Sequence, residues 1–141
     1  MSLTDYAEAA LLNSMFGKTS DFGALAARPT FYVGLLETAP TEAGGSLSEP
    51  TGGAYARAVT APTDWNAAAG TAPTAVTNLN VVTFPQATAD WRSGLDLGYF
   101  GIWDAATAGN LIMFGALTQA KPVLNGDTPS FPAGTLSTTA D

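Results

Sequence analysis

The sequence predicts a mainly β fold: an antiparallel β-sandwich or barrel, with a jelly-roll-like arrangement among the options and one N-terminal helix. Three observations carry this. About seven short segments rich in β-branched and aromatic residues are separated by Gly, Pro, Asn and Thr clusters. Small residues take the place of charge, since 12% of the 141 residues are charged while 46% are hydrophobic. That balance opposes disorder, which combines low hydrophobicity with high charge. Finally, helical periodicity is confined to the first residues. The length fits one domain over residues 1–141, with a helix at 2–17 and a β-sandwich at 30–141.

The helix reads over residues 2–16. Leu3, Ala7, Ala10, Leu11 and Met15 recur on one face. Ser2 is placed to cap it, with Asp5 three residues on. Asp5 and Glu8 suit the positive end of the helix dipole. Gly17 suits a left-handed stop and Lys18 the negative end. The stripe fits a helix packed on the sheet or an arm docked on another subunit.

The β segments then follow in order. "TFYVGLLET" (30–38) is apolar on both faces and short, as a buried strand is. "AYARAVT" (54–60) alternates, with Tyr55, Arg57 and Val59 on one face. "VTNLNVVTF" (76–84) ends at Pro85, which cannot donate to a ladder. "LDLGYFGIWD" (95–104) and "LIMFGALTQ" (111–119) form a central hairpin. Asp104 and Asn110 bracket its loop and Gly109 supplies positive φ. Asn125-Gly126-Asp127 marks a turn, and "AGTLSTTA" (133–140) is the last strand. Between them run two long loops, 39–53 and 61–75, the second anchored by Trp65. Loops of that length usually bind something or are disordered. "TAPT" occurs at 38–41, 60–63 and 71–74, but the unequal spacing gives loop chemistry, not a solenoid.

The chemistry available is narrow. With no Cys and no His, thiol nucleophiles, disulfides, Cys/His zinc sites and Ser-His triads are absent. "GGSLSEPTGG" lacks the Lys and the following helix of a phosphate loop. No dense oxygen-ligand loop is present, so neither a metal nor a cofactor is expected. A glycosidase needs two facing carboxylates; Glu37 and Asp104 each end a strand, and both read as strand caps unless they meet at one rim. No catalytic residue is assigned and the expected class is not an enzyme. The net charge of −7 with five scattered bases opposes nucleic-acid binding. No apolar run reaches membrane length and no signal peptide is evident, so a soluble protein made in the host cytoplasm is expected. Trp65 and Trp91, near loops, read as plugs for the ends of a sandwich more readily than as sugar-stacking platforms.

In order, "TFYVGLLETAPTEAG", "GGAYARAVT", "VTFPQATADW", "GYFGIWDAATAGNLIMFGAL" and "NGDTPSFPAGTLSTT" resemble a family of small tailed-bacteriophage virion proteins, labelled tail fibre proteins, with similar chains serving as capsid decoration (cement) proteins. The likeness spans about residues 2–140. It implies a structural role in the virion, an antiparallel β fold and assembly into repeated, often trimeric, contacts. It brings no catalytic residues. The leading expectation is a homotrimeric decoration protein at junctions of the major capsid protein. A complete small domain from Met1, with both ends held by neighbours, suits that role. The alternative is a tail fibre or receptor-binding module that recognises a host surface glycan. Candidate contact residues are Leu3, Tyr6 and Leu11 in the helix, Leu47 and Glu49 in the first loop, and Trp65 in the second.

Overall fold

The computed structural model describes residues 2–15, 30–69 and 74–140. Among these the chain runs β1 (Ser2–Leu3), α1 (Asp5–Met15), β2 (Phe31–Leu36), β3 (Ala58–Thr60), β4 (Thr74–Thr77), β5 (Val82–Thr83), β6 (Leu97–Trp103), β7 (Leu111–Lys121), β8 (Ser130–Phe131) and β9 (Ser137–Ala140). Five strands form one antiparallel sheet in the order β1-β7-β6-β2-β3. The antiparallel pairs β4-β9 and β5-β8 form a second, divided layer. This is a sandwich-like fold with no closed barrel, and its divided second layer differs from the continuous sheets of a jelly roll.

The pleat explains the layering. Along β2 and β6, Val33, Leu35, Phe100 and Ile102 point to one face and pack with Val82, Phe84, Trp91 and Leu136 in the main core. Trp91 is fully buried, donates from Nε1 to the Gly53 carbonyl at 2.9 Å and meets Tyr55 edge-on at 5.1 Å. It plugs the core, as the sequence indicates. Leu36, Trp103 and Leu111 form a second cluster on the opposite face, with Tyr32, Tyr99 and Phe114 packed against it.

Three elements differ from expectation. Ser2 does not cap a helix: it pairs with Phe114 as the start of β1, and α1 begins at Asp5. Thr4 is the cap. Its hydroxyl accepts from the Ala7 N–H at 3.3 Å and donates to the Leu111 carbonyl at 2.6 Å, which ties α1 to β7. Leu11 is exposed while Ala7 and Ala10 are buried, so the apolar stripe is narrower than read. Gly17 and Lys18 lie outside the described residues, as do Met1 and Asp141.

Second, the segment 76–84 is not one strand. It breaks at Asn78, which is fully buried. Asn78 Nδ2 donates to the carbonyls of Asn80 at 2.8 Å and Pro132 at 2.9 Å, and Oδ1 accepts from Leu136 N at 2.9 Å. A buried amide with its bonds met fixes a corner where β4 joins β9 and β5 joins β8. Third, the strands read at 54–60 and 133–140 shorten to β3 and β9; ahead of β3, Tyr55 and Arg57 bond instead to Glu49 in the first loop.

The central hairpin stands. Asp104 Oδ1 accepts from Asn110 N at 2.7 Å, Oδ2 accepts from Asn110 Nδ2 at 2.9 Å, and Gly109 has φ 73°. The Asn125-Gly126 turn stands too, with Leu124 N donating to Asp127 Oδ2 at 2.9 Å. A tighter turn precedes β6: Arg92, Ser93 and Gly94 have φ of 51°, 52° and 76°. Left-handed backbone costs an L-residue about 1–2 kcal/mol, so two non-glycine residues in a row require support from their surroundings.

Candidate interaction surface

The surface is organised around one arginine. Arg57 sits just before β3, with its side chain 6% exposed. Its Nε and Nη2 donate to the two oxygens of Glu49 at 2.9 and 2.6 Å. Its Nη1 donates to the carbonyls of Ala105 and Ala108, both at 2.8 Å. The guanidinium lies over the Trp103 ring at 4.0 Å. A planar fork with five donors can make all these contacts at once, which an ammonium cannot. Arg57 therefore joins the 39–53 loop, through Glu49, to the hairpin loop.

Two glycines make room for this stack. Gly34 and Gly101 face each other across β2 and β6. A Cβ on Gly34 would fall 2.7 Å from the Trp103 ring, and one on Gly101 2.6 Å from it. The indole packs close against these two positions because neither has a side chain. Trp103 Nε1 is buried with no hydrogen-bond partner among the described residues.

Tyr55 completes the clamp. Its hydroxyl donates to Glu49 Oε1 at 2.7 Å and accepts from Leu35 N at 3.1 Å. Burial, then the Glu49 carboxylate, push the phenol well above its ordinary range, so it stays protonated.

The clamp shapes one end of the sheet. There Thr4 and Tyr6 at the helix start, Ala43, Gly44 and Leu47 from the first loop, and Gly109, Asn110 and Leu111 from the hairpin line a cavity of about 160 Å³. Of the sequence candidates, Tyr6 and Leu47 meet here. Leu3 lies beside them, paired with Met113 in β1, and Leu11 is exposed farther along α1. The Glu49 carboxylate is engaged by Arg57 and Tyr55. Trp65 lies elsewhere: half-buried, it donates from Nε1 to Thr60 Oγ1 at 3.1 Å and lines an apolar cavity of about 280 Å³ with Phe31, Val76, Ile102, Ile112 and Met113. Arg57 is the residue that sequence reasoning missed. Its only signal was an arginine eight residues after a glutamate in a chain with few bases.

The facing-carboxylate idea fails on topology. In the antiparallel β2–β6 pair, Tyr32 is opposite Trp103 and Leu36 opposite Tyr99. Glu37 and Asp104 therefore lie at opposite ends, separated by roughly 20 Å at about 3.3 Å per residue. Glycoside chemistry needs carboxyl groups within about 9.5 Å. No group of three or more metal-ligating side chains occurs among the described residues. No helix among them is long and apolar enough to cross a membrane.

The family model described as podophage GP4 fiber I protein gp80 matches residues 2–139. The chain belongs to that family. The match takes in the helix, the central hairpin and the Arg57 clamp together. It makes the chain a bacteriophage virion structural protein of the fibre-like kind. No curated protein matches the chain.

Proposed function

We propose that this member of the gp80 family is a structural unit of the phage fibre apparatus, a homotrimer that contacts neighbouring virion proteins through the end of the sheet bearing Tyr6 and Leu47. The observation that carries this reading is the Arg57 clamp. Loops fixed before contact lose little conformational entropy on binding, so weak backbone-rich contacts suffice. The exposed tip, Ala106 to Asn110, is small and uncharged, which suits close approach by another backbone.

Decoration of the head at junctions of the major capsid protein is the second reading. The 39–53 loop favours it: the loop is long, low in charge and tied down by the Glu37–Ser48 bond at 2.8 Å and by Glu49. A host glycan as partner gets little from the indoles, because Trp91 and Trp103 are buried and Trp65 is committed to Thr60.

Quantitative mass spectrometry of purified particles tests the choice. A few copies per particle, cross-linked to tail proteins, are expected. Hundreds of copies cross-linked to the major capsid protein would replace the fibre reading with the decoration reading. Absence from particles would remove both.

A further inference from the structure

We propose that Asn125 is a modification site. Its side chain cyclises onto the Gly126 nitrogen and hydrolyses to aspartate or isoaspartate, and the fold sets the rate by holding that nitrogen in a hydrogen bond. The inference does not depend on where in the virion the chain sits.

In an Asn-Gly pair the side-chain amide meets the least hindered backbone nitrogen, because glycine carries no Cβ. Each of the chain's other asparagines precedes a residue with a side chain. Asn125 and Gly126 are both exposed, so water reaches them.

The fold grips the attacking nitrogen. Gly126 N–H donates to the Ala87 carbonyl at 2.8 Å, and Ala87 N–H donates to the Asp127 carbonyl at 2.8 Å. Ala87 is itself buried in the main core, so this pair of bonds is anchored there. Three further bonds brace the turn. Gln86 Nε2 donates to the Gly126 carbonyl at 2.9 Å, Asn125 N–H to Asp90 Oδ1 at 2.8 Å and Leu124 N–H to Asp127 Oδ2 at 2.9 Å. Cyclisation needs the Gly126 nitrogen deprotonated and free to turn toward Asn125 Cγ. Neither condition is met while a core-anchored carbonyl holds its proton, so the reaction follows local opening of the turn.

In the open turn the deprotonated nitrogen attacks Asn125 Cγ. A nitrogen–carbon bond closes a five-membered imide and the side-chain carbon–nitrogen bond breaks. The amide leaves as ammonia, taking from water a proton that balances the one the nitrogen gave up. Water then adds to one ring carbonyl and cleaves its bond to nitrogen, which gives aspartate or isoaspartate. The new carboxylate falls between those of Asp90 and Asp127, which bond to the backbone of Asn125 and Leu124. Repulsion among like charges then opposes reclosure, so a transient opening leaves a permanent mark.

The test incubates the purified full chain in mildly alkaline buffer and follows the peptide containing Asn125 by mass spectrometry, with fragmentation that separates aspartate from isoaspartate. Conversion at Asn125 should be at least about tenfold faster in unfolding urea than in the native protein. Graded urea below the unfolding transition varies the opening of the turn without unfolding the chain. Across that series the conversion rate should rise in step with hydrogen exchange of the Gly126 amide. Gln86→Ala removes one brace at an exposed position, and circular dichroism checks that it folds. It should speed both conversion and exchange by roughly threefold, the loss of one exposed hydrogen bond. Equal rates in native and unfolded chain, a native rate that does not follow Gly126 exchange, or conversion in urea that begins at another asparagine would overturn the proposal.

Discussion

The Arg57 guanidinium lies 4.0 Å above the ring of Trp103, while its Nη1 holds the carbonyls of the loop that follows that tryptophan. One side chain thus packs on the end of β6 and fixes the chain leaving it. Replacing Arg57 by Ala leaves the Glu49 carboxylate without its cation and the Ala105 and Ala108 carbonyls without a donor. A loss of about 3 kcal/mol in urea unfolding is expected. Arg57→Lys should recover only part of it, since an ammonium cannot reproduce the fork.

The glycine pair beneath Trp103 tolerates no side chain. Gly101→Ala places a Cβ 2.6 Å from both the Trp103 ring and Leu111 Cδ1. Overpacking of this kind costs about 1–3 kcal/mol. A lowered melting temperature with altered tryptophan fluorescence is the expected result; Gly98→Ala, where the nearest atom is 3.8 Å away, serves as the control.

Asn78 should behave as a structural corner. Asn78→Ala removes two donated bonds and one accepted bond in a fully buried site, at a cost of about 2–4 kcal/mol. Asn78→Asp turns a donor into an acceptor facing two carbonyls and should be no milder. Hydrogen exchange should show the loss of protection concentrated in β4, β5, β8 and β9.

Asp64 contributes to the acid limb of stability. Its carboxylate accepts from Asn80 Nδ2 at 2.8 Å and from Ala61 N at 2.8 Å, and these bonds hold its pKa below the usual carboxylate value. A pKa depressed by folding gives stability that is present above the unfolded value, about 3.9, and lost as pH falls through the folded one. Urea midpoints measured from pH 5 down to pH 2 should fall less steeply in Asp64→Asn than in the wild type.

Bonds between near neighbours are legible in the sequence. Asp104 and Asn110 are six residues apart, and their side chains close the hairpin loop around Gly109, as residue types and spacing indicate. The Asn125-Gly126 turn and the burial of β2 and β6 follow from the same short-range rules. The cap is Thr4 and not Ser2, a choice that depends on the Leu111 carbonyl, 107 residues away. Asn78 reads as an ordinary polar position in a strand until its partners at Pro132 and Leu136 are in place.

Alternation, turn residues and low charge were therefore enough to establish a β-rich sandwich-like chain, because each is a property of neighbouring residues. The resemblance to phage virion proteins was also carried by the order of those segments. Which end of the sheet carries the ordered loops, which carboxylates meet, and which leucines face water were fixed by strand order. Antiparallel pairing separates Glu37 from Asp104, and folding brings Arg57 to carbonyls 48 and 51 residues away. Such contacts depend on register and handedness across the whole sheet, and no stretch of sequence short enough to read in isolation contains them.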